Sequence, residues 1–143
     1  MTMDLQMAEG IIAGAFETAS GARMKPLGVV VLDAGGHLVA FKRQNGASFI
    51  RFDIARAKAW TALGLQMSSR GFQEMADQRP HFAASLYAIS DGRVTPAAGG
   101  ILVEHDGAVI GAVGVSGDTP DNDEKAALAG AQAGRLTVPS TVA

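Results

Sequence analysis

Arg56 and Lys58 stand two residues apart in the run Ile54-Ala-Arg56-Ala-Lys58-Ala-Trp60. On a helix that spacing turns them about 200° away from one another, so they cannot share one solvent strip. One of the two is expected to point inward, and a lysine taken out of water needs a carboxylate beside it. Asp123 and Asp118 are the candidates. Beside glycine-lined backbone such a lysine can bind an acid or, with a lowered pKa, act as a base. A structural ion pair between helices accounts for the same residues equally well.

A second constellation is GAVGVSGDTPDNDE, residues 111–124. A strand with small side chains on one face, a glycine loop and a helix start offer free backbone N–H groups and a positive dipole end. That chemistry suits a carboxylate, propionate or phosphate. Ordinary helix-start chemistry explains the segment more simply: Thr119 as N-cap, Pro120 at the first helical position, and Asp121, Asp123 and Glu124 against the dipole. Those acids also repel an anionic ligand. No calcium-loop pattern, Walker A sequence or dinucleotide fingerprint occurs.

The three histidines are scattered. His37 and His105 fall at expected hairpin turns, His81 follows Pro80 at a helix start, and no pair has H-x3-H or H-E-x-x-H spacing. Ser85 and Ser116 lack a G-x-S-x-G context and an assigned base, which argues against a serine hydrolase. The absence of cysteine removes disulfides, thiolate zinc sites, iron–sulfur clusters and thiolate-ligated or covalently attached haem.

Periodicity and turn residues predict the elements that position these groups. Asp4 caps a helix over residues 4–22 whose stripe is Leu5, Ala8, Ile12, Ala15, Phe16 and Ala19. The β-branched run 27–32 reads as a strand buried on both faces, and Asp33-Ala-Gly-Gly36 turns it into a second strand, 37–42. Ser48 is expected to cap a helix reaching about Met67, with Phe49, Phe52, Ala55, Ala59 and Leu63 along one side. Ile54, Trp60 and Leu65 lie elsewhere around it, so it packs on more than one side. Two short helical pieces, about 70–77 and 80–89, meet at Arg79-Pro80. Strands 97–104 and 108–116 form a hairpin about His105-Asp-Gly107. In the second of these, Val109, Val113 and Val115 should make a bulky face and Ile110, Ala112, Gly114 and Ser116 a nearly bare one. A helix over about 121–135 closes the chain, and the tail from Thr137 is expected to fray. This order predicts an α+β fold, a layered single domain over residues 1–143 with a central antiparallel sheet covered by helices.

Composition agrees. The 143 residues are 48% hydrophobic, enough for a core without disulfides or metal. The formal charge of −2 lacks the basic footprint of a nucleic-acid binder. The N-terminus has no basic region ahead of an apolar run and no stretch is long and apolar enough to span a membrane, so a soluble, cytoplasmic protein is expected. Abundant small residues, including 18 glycines, favour close helix packing and a homo-oligomer.

Three segments carry a resemblance: VVVLDAGGHLVAFKR at 29–43, IARAKAWTA at 54–62 and GGILVEHDGAVIGAVGVSGDTPDNDEKAALAG at 99–130. Together, and in this order, they resemble the GlcG/HbpS-like haem-binding protein family, which also includes the C-terminal domain of PduO-type corrinoid adenosyltransferases. The resemblance implies an α/β/α sandwich, usually oligomeric. Some members bind haem or are linked to corrinoid metabolism, and others sit in catabolic pathways for small organic acids. The family's motif positions fall here on Asp33, Gly36, Arg56, Lys58, Gly99, Gly100, Gly107, Gly111, Gly114, Ser116, Gly117 and Asp123. Residues 63–96 share only the family's helical layout, and a variable stretch is where a pocket acquires specificity.

The leading expectation is therefore a small-molecule binding protein taking haem or a related tetrapyrrole. Lys58, Gly99, Gly100, Gly114, Ser116 and Gly117 would line the pocket, and Asp123 would orient Lys58. His81 is favoured as iron ligand because it lies in the variable stretch; His37, His105, Tyr87, Lys58 and the methionines are other possible donors. The competing expectation is an enzyme or accessory protein in the catabolism of small organic acids or aromatics. In that reading Lys58 is an anion anchor or acid/base, with Asp123 as its catalytic companion. A subunit that acts only through partners is the third.

Overall fold

A computed structural model describes residues 1–139. Along the chain run α1 (Leu5–Gly21), β1 (Gly28–Asp33), β2 (Leu38–Arg43), α2 (Ile50–Leu65), α3 (Ser69–Gln78), α4 (Pro80–Ile89), β3 (Gly100–His105), β4 (Ala108–Ser116) and α5 (Pro120–Ala133). The two hairpins join through β1 and β4 into one antiparallel sheet of order β2-β1-β4-β3. β1 is central and covered on both faces, so its apolar run shows no alternation.

Alternation along the strands sorts the core into two layers. Val29, Val31, Ile101, Val103, Val113 and Val115 face α1 and α5, where Ile11, Ile12, Ala15 and Ala127 meet them. Val30, Leu32, Leu102 and Ala112 face Ala55, Ala59 and Ala62 of α2. Phe72, Ala83 and Val94 form a third cluster beneath α3 and α4. The result is the layered α+β arrangement that the element order implied.

The nearly bare face of β4 has a packing reason. A Cβ added to Gly114 would sit 1.9 Å from the carbonyl oxygen of Ala55, and one added to Gly100 would sit 2.1 Å from that of Lys58. The backbone of α2 thus lies directly on the sheet, closer than any side chain on these glycines would permit.

The caps at Asp4 and Thr119 form as expected. Asp4 Oδ1 accepts from the Met7 N–H at 2.8 Å and Thr119 Oγ1 from the Asn122 N–H at 3.2 Å. Ser48 differs: α2 begins at Ile50, and Ser48 offers only its backbone carbonyl, to the Arg51 N–H. Phe49 precedes the first helical turn and is 82% exposed rather than part of the buried side. At the other end Gln66 turns left-handed and stops the helix at Leu65.

β4 also departs from simple alternation. Val109 joins the α2-facing cluster and Ile110 the opposite one, the reverse of the expectation. The β3–β4 register shifts between Val103 and Glu104, and the extra residue flips the alternation at that point. Nor does the tail fray at Thr137, which exchanges backbone hydrogen bonds with Glu104 and extends the β3 edge. Residues 140–143 of that tail lie outside the described residues. Among the described residues no helix is long and apolar enough to cross a membrane.

Candidate functional site

Because α2 lies backbone-down on the sheet, a long side chain on its inner face has nowhere to go but along the strand ends. Lys58 takes that route past Gly99, where an added Cβ would stand 2.8 Å from Nζ. Gly99 holds φ +130°, a backbone conformation open to glycine and rare for other residues. The ammonium donates to Val115 O and to Asp123 Oδ2, each at 2.9 Å. The Lys58 and Asp123 side chains are 3% and 2% exposed. Lys58 is therefore the inward member of the Arg56/Lys58 pair, and Asp123 is its carboxylate.

Asp118, the other candidate, serves the same cluster differently. Its N–H donates to Asp123 Oδ1 at 2.8 Å, fixing that carboxylate from the side opposite Lys58. Its own carboxylate accepts from the Lys25 and Thr119 N–H groups and from Asn122 Nδ2, at 2.8, 2.9 and 2.7 Å. These donors, the Lys25 N–H first, hold its pKa down to about 2. Burial pushes the Lys58 ammonium below the ordinary lysine range, the Asp123 charge and hydrogen bond oppose that, and nearby Arg51 adds to the lowering.

The glycine and serine positions expected to line a ligand pocket do converge on this pair, but protein atoms occupy the space around them. α2 covers Gly100 and Gly114, and a Cβ at Gly117 would meet Pro26 O at 2.3 Å. Ser116 is buried, and its Oγ accepts from Arg51 Nη1 at 3.1 Å. The Gly100 N–H donates to Ser69 Oγ at 2.8 Å. The cluster joins α2, β4 and α5 through charges that are already satisfied. An ion pair so placed is hard to open, because separating it would strand a buried charge.

His81 lies apart from the cluster, exposed in the first turn of α4. His37 is exposed on the β1–β2 turn, with Nδ1 3.2 Å from Asp33 Oδ1. His105 sits beside Asp106 at the β3–β4 turn, and Tyr87 packs edge-on against Phe72. Among the described residues no three His, Asp or Glu side chains converge as a metal site.

Several supporting residues escaped the sequence reading. Arg51 and Ser69 fasten β4 and β3 to the helical layer, and Arg70 of α3 reaches Asp121 and Glu124 at the start of α5. Each is a contact between distant segments with no local spacing signal. Only the acidic half of the Arg70 clamp was visible, as carboxylates facing a helix dipole.

Comparison with known proteins matches this architecture. The family model described as "Haem degrading protein HbpS-like" matches residues 3–132. Protein GlcG of Escherichia coli (strain K12) is 36% identical over 112 residues, covering 78% of each chain. The crystal structure of HbpS superposes with a TM-score of 0.81 at 28% identity, covering 92% of this chain and 89% of that one. A PduOC:heme complex superposes with a TM-score of 0.86 at 23% identity, over 96% and 98% of the two chains, a likeness of fold. Sequence match and shared layers run through the same segments that seat Lys58, Gly100, Gly114 and Asp123, and on that ground the chain belongs to the HbpS-like family.

Proposed function

We propose that this protein binds haem or a related tetrapyrrole and does so as a homo-oligomer. The observation that carries the reading is the match of nearly the whole chain to a family described by its dealings with haem. The residues available suit such a ligand on the α4 surface rather than at the Lys58 cluster. His81 offers an accessible imidazole, Phe82 and Ile89 are 40% and 75% exposed, and the Arg79 guanidinium sits 4.6 Å from the centroid of the Phe82 ring. An axial nitrogen, an apolar surface and a cation for a propionate are three elements that haem binding uses. Bound haem would supply an iron centre, and His81 would hold it in place.

Exposed large apolar side chains, Phe49 the most open of them, are the kind of surface that a second copy covers. The competing small-acid reading fares worse if Lys58 is its anchor, since that ammonium is enclosed and its acceptors are the protein's own. A haemin titration of the purified apo-protein, followed by absorbance with albumin as control, tests the proposal. The expected outcome is a saturable, stoichiometric Soret shift that His81→Ala removes. An unchanged spectrum in that variant would remove His81 from the site, and unsaturable uptake by the parent would remove haem as the ligand.

A further inference from the structure

The outer face of α2 carries a second feature, distinct from the Lys58 cluster. Asp53, Arg56, Ala57 and Trp60 recur at one-turn spacing and so share one side of the helix. The segment after α4 folds back over them. Asp91 and Gly92 adopt φ of 55° and 74°, Arg93 Nε donates to Ser90 O at 2.8 Å, and the Thr95 N–H donates to Thr61 Oγ1 at 2.9 Å. Thr61 Oγ1 in turn donates to Ala57 O at 2.7 Å, so the segment is fastened to α2 at the site itself. The Arg93 guanidinium is thereby set 4.5 Å from the centroid of the Trp60 ring. Between these groups lies a cleft of about 210 Å³, lined by Asp53, Arg56, Ala57, Trp60, Gly92 and Arg93.

Two guanidinium groups line one small cleft, and among the described residues no carboxylate lies within ion-pair distance of either. Paired forks of N–H donors match a carboxylate, and the indole edge supplies an apolar wall. Asp53 adds an acceptor on the same rim, which repels a second carboxylate and favours a hydroxyl or ammonium donor. The volume falls below the roughly 300–1,000 Å³ of pockets for drug-sized ligands, and a tetrapyrrole is far too large for it. We propose that this cleft binds a small monocarboxylate carrying a hydrogen-bond donor, with Arg56 and Arg93 holding the carboxylate and Asp53 the donor. The site is separate from tetrapyrrole binding and does not depend on it.

Trp60 is the chain's one tryptophan, so its fluorescence reads the cleft directly. Lactate is the probe, with propionate lacking the donor and lactamide lacking the charge, and calorimetry run alongside. The expected result is saturable binding of lactate at one site per chain, weaker binding of propionate and none of lactamide. Arg56→Gln, which leaves the indole stack untouched, should weaken lactate about tenfold or more, the loss of one charge-assisted hydrogen bond. Arg93→Ala should do at least as much by calorimetry. Haemin uptake should be unchanged in Arg56→Gln. Absence of saturable lactate binding by both methods, equal response to lactamide, or parental affinity in Arg56→Gln would overturn the proposal. So would loss of haemin uptake in that variant, which would merge the cleft with the tetrapyrrole site.

Discussion

The two faces of α2 treat their cations in opposite ways. On the inner face Lys58 is enclosed, paired with Asp123 and bonded to Val115 O. On the outer face Arg56 is exposed beside Trp60, with Arg93 stacked over that ring. A buried, paired cation fixes how α2, β4 and α5 meet, and its charge is already matched by the protein's own carboxylate. Two guanidiniums without a carboxylate partner among the described residues line the outer cleft, and although Arg93 spends its Nε–H on Ser90 O and stacks on Trp60, their charge is not neutralised by those residues. A charge next to glycines is thus a weaker sign of a binding site than a charge whose hydrogen bonds remain unspent.

The contrast can be broken most forcefully at Lys58. Lys58→Met leaves Asp123 buried without its cation and should cost about 3–5 kcal/mol, measured by urea unfolding. Adding Asp123→Leu should restore much of that stability, because an apolar pair of similar volume leaves no charge stranded. Failure of the double variant to recover would show that the pair does more than neutralise itself. Next in size is Gly114→Ala, which sets a methyl group against Ala55 O and must lift α2 from the sheet. A loss of about 1–3 kcal/mol or more is expected, read from the same curves. Smallest is Arg56→Gln on the outer face, whose thermal unfolding should move by no more than about 0.5 kcal/mol in stability. A large loss there would erase the distinction between the faces.

Much of the scaffold could be read locally. The caps at Asp4 and Thr119, the two hairpins and the buried runs of β1 and β4 follow from turn chemistry and period, which act over a few residues. Local patterning gives way where a longer-range contact intervenes. A register shift against β3 exchanged the faces of Val109 and Ile110, and pairing with Glu104 held a tail that looked free to fray. Phe49 differs for another reason, since a helix that starts one residue later leaves its first aromatic at the cap position, outside the packed side.

The candidate site divides along the same line. Sequence alone determined that Arg56 and Lys58 face apart and that a lysine turned inward would need a carboxylate, with Asp123 among the candidates, because the helical period and the cost of an unpaired buried charge need no tertiary information. It also determined that one face of β4 is stripped of side chains. Only the folded structure decided what fills that face. The backbone of α2 occupies it, so glycines that looked open to a ligand are closed. The fold likewise brought Arg93 over Trp60 from a segment whose own pattern gives no sign of the contact. Periodicity assigns directions to side chains, whereas the atom that stands in each direction is set by packing between segments far apart in the chain.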